Sequence, residues 1–206
     1  MTPLLFGAFE IVILVYSVVL HELAHGYAAR AMGDDTAERM GRLTLNPFAH
    51  LDWFGSLVLP LLTWILGGFM FGYAKPVPYD PSKLNDRRWG PAKVGLAGPT
   101  MNLAIALVFT AVFRLSGTAL NTTAAMLVVY IISINVVLAL FNLLPIPPLD
   151  GHWLLFALLP RGAYYMRAQL YRYQWFLVIL AVFVIFPLLL PLVSAILRLL
   201  TGTSIF

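Results

Sequence analysis

The amino-acid sequence predicts an all-α polytopic membrane protein: about four transmembrane helices, a re-entrant segment and short interfacial β-like strands. Three observations carry this expectation. Of 206 residues, 61% are apolar and 11% charged, whereas soluble domains have about half and about a quarter. Stretches free of Asp, Glu, Lys and Arg recur at 53–74, 94–113, 115–149 and 173–197. Each is as long as the roughly 20 residues that a helix needs to cross a bilayer. The basic residues gather between these stretches, so the net charge of +4 reports topology and is not a nucleic-acid signal. A soluble enzyme, a disordered tail and a nucleic-acid binder are excluded. The chain has no cysteine, hence no disulfide, thiolate ligand or cysteine nucleophile.

The first apolar run, Pro3 to Leu20, is interrupted only by Glu10. It lacks a basic leader and a small-residue cleavage pattern, and is expected to be a retained helix and not a signal peptide. A polar stretch from about Arg30 to Asp52 follows, with turn formers Gly33, Asp34 and Gly41 and a β-like piece, Arg42-Leu43-Thr44-Leu45. The run Trp53–Tyr73 is long enough to span, yet Gly55, Pro60, Gly67, Gly68 and Gly72 punctuate it. Next comes a polar loop holding the extended segment Lys75-Pro76-Val77-Pro78-Tyr79. Cleaner spans are expected at about 94–113 and 124–145, and a last one at about 176–197. Between these two lies a patch with Arg161, Arg167, Arg172 and several aromatic residues, which reads as an interfacial belt touching anionic lipid.

The chemistry concentrates in His21-Glu22-Leu23-Ala24-His25, an H-E-x-x-H motif. On a helix, residues i and i+4 share a face, so both imidazoles can reach one metal ion. Glu22 projects close by, where it can act as general base on a metal-activated water. Burying three such groups for packing alone is costly at membrane depth. Catalytic zinc usually takes three protein ligands, and His50, His152 and the carboxylates are candidates for the third. Asp150 stands out. It follows Asn142-Leu143-Leu144-Pro145-Ile146-Pro147-Pro148-Leu149 and precedes Gly151, and prolines that break the helix let a carboxylate turn into a cavity. A helix cap is its simpler role.

These two motifs, about 120 residues apart, resemble those of the site-2 protease family of intramembrane zinc metalloproteases. Gly98-Pro99-Thr100-Met101-Asn102, Gly41-Arg42-Leu43-Thr44-Leu45-Asn46-Pro47 and Ala74-Lys75-Pro76-Val77-Pro78 match further patterns of that family. The resemblance covers about residues 12–160. It implies that His21, His25 and Asp150 ligate Zn2+, that Glu22 is the base, and that Asn142 stabilises the oxyanion or positions the substrate. It also implies a minimal member without PDZ-like or CBS-like domains. The whole chain, 1–206, is then one membrane-embedded metalloprotease domain, with a catalytic core at about 1–160 and the interfacial patch and last helix at 161–206. The partners expected are a transmembrane protein substrate and the lipid bilayer, with no nucleic acid; oligomeric state is not legible. A non-proteolytic membrane metal-binding protein, such as a zinc carrier or a pseudoprotease, is the alternative.

Secondary candidates follow from simpler chemistry. Lys75 and Val77 lie in an extended segment that could pair with an unwound substrate strand. Asn102 is carried with them, although support of the site by a hydrogen bond across helices fits it better. His50 and Asp52 suit a loop or helix start, and Glu10 sits mid-membrane without an obvious partner. Topology supplies a geometric test. Asp150 reaches the depth and side of the histidines only if 53–73 enters and leaves on one side. All 13 Lys and Arg except Arg114 and Arg198 then share a side, which the positive-inside rule makes cytoplasmic. The expected location is a prokaryotic cell membrane, with the site toward the cytoplasm.

Overall fold

Helix α1 (Pro3–Ala31) begins where Pro3 occupies the first helical position and Thr2 Oγ1 accepts from Leu5 N–H, relieving one of the unpaired amides of a helix start. It stops at Met32 and Gly33, whose φ of 101° suits a residue without Cβ. The structure is a computed structural model and describes residues 2–58, 61–62, 65, 74–116, 119–160 and 162–202. Short turns follow: α2 (Thr36–Arg39), a 3₁₀ turn (Pro47–His50) and a π turn (Phe54–Val58). Helix α3 (Gly90–Ser116) is preceded by Asp86, whose carboxylate accepts from the Arg88 and Trp89 amides. Asn121 caps α4 (Thr122–Asn142) through Ala124 N–H. Three shorter helices, α5 (Gly151–Leu158), α6 (Tyr164–Arg172) and α7 (Gln174–Leu180), lead through a π turn (Ala181–Ile185) into α8 (Phe186–Thr201).

Four helices are long and apolar enough to cross a membrane: α1, α3, α4 and the continuous stretch Gln174–Thr201. The protein is a multi-pass membrane protein. Lipid offers helices little hydrophobic reason to associate, so close packing and interhelical hydrogen bonds must hold them. Accordingly α3 sits centrally, against α1, α4, α5 and α8. At one end Ala106, Ile132, Val136, Val193 and Leu197 form an apolar cluster. At the other, Ala29, Leu84 and Val94 lock the loop before α3 onto the end of α1.

The β-like strands expected at 42–45 and 75–79 are a correction: among the described residues there is no strand. Pro76 and Pro78 lack donors for a ladder. A side chain joins the two segments instead, as Arg42 donates to Lys75 O at 2.9 Å and Pro76 O at 3.3 Å. The path of 53–73 lies largely outside the described residues, so the re-entrant expectation is judged only by its flanks. His50 O accepts from Lys75 N–H at 2.9 Å, so both flanks stand together at one end of the bundle. At the opposite end Arg114 donates to Leu199 O and Leu200 O. The two basic residues set apart by the charge pattern, Arg114 and Arg198, are thus neighbours in space.

Candidate metal centre

Helix α1 presents His21 and His25 one turn apart, both buried, with their Nε2 atoms 3.1 Å apart. From the far side comes Asp150, at the N-cap position of α5. Its side chain makes no capping hydrogen bond, so the simpler cap role is not the one it plays. Instead Oδ2 stands 3.0 Å from His21 Nε2 and Oδ1 3.3 Å from His25 Nε2.

The outer ring nitrogens decide what the inner ones offer. His25 Nδ1 lies 2.7 Å from Val94 O, which can only accept, and His21 Nδ1 lies 2.5 Å from Asn102 Oδ1. Both imidazoles therefore donate at Nδ1, which leaves Nε2 as a lone pair in the neutral ring. Two lone pairs and a carboxylate then converge at 3.0–3.3 Å. Asp150 Oδ2 is buried without a hydrogen-bond donor. With neutral rings, three acceptors face one point, which a cation there, a metal ion or a proton on Nε2, would relieve. Tetrahedral ligands 2.0–2.1 Å from zinc are about 3.3 Å from one another. The donor set fits.

Glycine makes the approach possible. A Cβ on Gly98 would collide with Nε2 of both histidines, and one on Gly95 would meet Asp150 O at 2.9 Å. Gly151 fits closely against the backbone of Leu143 and Leu144, which seats the chain that delivers Asp150.

Glu22 joins the two histidines in a group whose candidate ligand atoms lie within 4.8 Å of one another. Its Oε2 accepts from Val77 N–H at 2.7 Å. The extended segment thus lies directly on the expected base, with the Val77 side chain buried near Gly26. Lys75 is exposed, but its backbone N–H and carbonyl are used within the fold. Asn142 is half-buried, and its amide donates to Leu138 O one turn back in α4. His152 uses both ring nitrogens elsewhere, on Leu149 O and the Tyr171 hydroxyl. His50 Nε2 bonds Thr44 O, and Asp52 accepts from Gly55 N–H at the start of the π turn.

The model of peptidase family M50 matches residues 9–125 and 111–186. The chain belongs to peptidase family M50. As an M50 protein it is a metalloprotease, and its similarities agree. It is 38% identical over 200 residues to YwhC of Bacillus subtilis, covering 91% of this chain and 88% of that protein. It is 34% identical over 148 residues to Rip2 of Mycobacterium tuberculosis H37Rv, covering 71% of this chain and 56% of that one. Both relatives carry names of the zinc-metalloprotease class. Zinc metalloprotease MJ0392 of Methanocaldococcus jannaschii is 26% identical over 164 residues, 80% of this chain and 38% of that protein. No solved structure matches the chain significantly.

Two residues around the site escape sequence reasoning, Ser17 and Asn135. Both are buried polar side chains in apolar runs, and a polar residue at membrane depth is the one signal that could have flagged them.

Proposed function

We propose that this M50 protein is an intramembrane endopeptidase that hydrolyses peptide bonds in or near transmembrane segments of other membrane proteins, with zinc held by His21, His25 and Asp150. One observation carries the reading: two imidazole lone pairs and a buried carboxylate face one point at 3.0–3.3 Å. The chemistry that a bound zinc ion supplies is Lewis acidity toward water and the scissile carbonyl. Glu22 takes the proton of the attacking water and returns it to the nitrogen of the leaving amine. Val77 N–H orients the Glu22 carboxylate for both transfers. The Asn142 amide has a second N–H beyond the one given to Leu138, available to a developing oxyanion. A substrate helix must unwind to expose its backbone, and the segment around Lys75 and Val77 is where the unwound strand would lie against the base.

The charge pattern supports a site toward the cytoplasmic face of a prokaryotic cell membrane. Glu22→Gln tests the function, because a carrier needs no base between its ligands. Purified into micelles, the variant is expected to keep one zinc per chain while turnover of a transmembrane substrate falls at least about 100-fold. Cleavage at the normal rate would overturn the assignment.

A further inference from the structure

We propose that Asn135, remote from the ion and touching no ligand, is a positioning residue of the metal centre: acting through Asn102, it dictates which nitrogen of His21 is left free to bind metal. The inference rests on the zinc reading above and extends it to residues two hydrogen bonds away.

The argument follows donors and acceptors from a fixed starting point. Ile131 O is a backbone carbonyl of α4 and can only accept. Asn135 Nδ2 lies 2.9 Å from it and 3.0 Å from Ser17 Oγ, so the amide nitrogen of Asn135 must face that way. Its Oδ1 is thereby turned toward α3, where it accepts from Asn102 Nδ2 at 2.8 Å. The second N–H of Asn102 reaches Ser17 O at 3.4 Å, again a carbonyl. Asn102 can then offer His21 only its oxygen, at 2.5 Å from Nδ1. The ring must carry its proton at Nδ1, and Nε2 is a lone pair aimed at Asp150.

A single flipped amide breaks this chain. Turning Asn135 over sets its oxygen against Ile131 O and its nitrogen against Asn102 Nδ2, two unfavourable encounters at once. Asn102 and Asn135 are fully buried and Ser17 nearly so, so water cannot repair a mismatch, and a buried unpaired polar group is costly. His25 needs no such relay, because Val94 O fixes its tautomer directly. The two ligands on one helix are thus oriented by different means. One relies on a backbone carbonyl of α3; the other relies on side chains from three helices that meet only in the folded bundle.

The test measures zinc affinity by competition with a chromophoric chelator, in micelles, on proteins shown to be helical and monodisperse. Asn135→Leu is expected to weaken zinc binding about 10- to 100-fold, the range found for partners that orient metal-ligating histidines. Asn135→Asp keeps an acceptor facing Asn102 in either protonation state and is expected to restore binding to within a few-fold of wild type. Asn102→Leu should cost as much as Asn135→Leu, and the double variant no more than Asn102→Leu alone, since both act on one nitrogen. If Asn135→Leu does not fold, Asn102→Leu and Asn135→Asp carry the test: the first is expected to lose affinity about 10- to 100-fold and the second to keep it within a few-fold, and wild-type affinity in Asn102→Leu would overturn the inference. Wild-type affinity in folded Asn135→Leu, or multiplicative losses in the double variant, would overturn the inference while leaving the zinc reading intact. Failure of the wild-type protein to bind stoichiometric zinc would overturn both.

Discussion

His21 and His25 are separated by four residues, and that spacing on a helix is enough to pair them. What each side chain contributes depends on its other contacts. Glu22 illustrates the point: its place between two histidines was legible, whereas its bond to Val77 N–H was not. That bond makes a prediction. Val77→Pro removes the donor while leaving the three ligands untouched, so turnover should fall about 10-fold or more, part of the 10²–10⁴ that a positioned base supplies. Zinc content should not change; a parallel loss of zinc would show that Val77 supports the ligands instead. Gly98 makes another. Its missing Cβ is the space in which both Nε2 atoms stand, so Gly98→Ala should weaken zinc at least about 10-fold by chelator competition, with helix content maintained. Unaltered affinity would mean that α3 can retreat from α1 at no cost.

At the scale of elements, the end of α1 and the loop before α3 are held together by Asp34. Burial alone would raise its carboxyl, but bonds from the Thr36 hydroxyl, Asp80 N–H and Thr36 N–H outweigh burial and hold it below the usual carboxylate range. A depressed folded-state value contributes stability that is fully present above the ordinary carboxylate range, near pH 4, and is lost as pH falls from there through the lower folded-state value. Asp34→Asn is therefore expected to cost about 2 kcal/mol near neutrality, the scale of one or two hydrogen bonds to a charged acceptor. In thermal melts of the two proteins, the gap seen at pH 7 should narrow as pH falls below about 4. A gap independent of pH would assign the loss to packing. The extended segments at 42–45 and 75–79 teach a related lesson. Their composition reads as strand, yet two prolines deny the ladder its donors, and the Arg42 guanidinium supplies the crossing bonds in its place.

For the whole molecule, the decisive feature is which end of the bundle each loop occupies. The flanks of 53–73 meet through His50 and Lys75 at the end that carries the histidines, and Arg114 lies with the end of α8 at the other. Because the chain has no cysteine, single cysteines report sidedness without background. Arg87, in the turn before α3, and Thr123, in the first turn of α4, are exposed at opposite ends. An impermeant maleimide is expected to label Thr123→Cys in intact cells and Arg87→Cys only after lysis. Labelling of both from one side would contradict the charge-based topology.

Membrane class, the four apolar spans and the pairing of His21 and His25 on one helix face were legible in the sequence, because each rests on composition or on spacing along a chain of known helical pitch; Asp150 stood out through its prolines and a family resemblance. Only the tertiary structure decided that the Asp150 side chain, some 125 residues on, turns from its N-cap position to meet the histidines, and that Val77 N–H reaches Glu22. It also decided the role open to Asn135. The direction of a hydrogen bond belongs to no single residue; it is set where α1, α3 and α4 bring fixed carbonyls and reversible amides together, and that meeting has no signature in linear order.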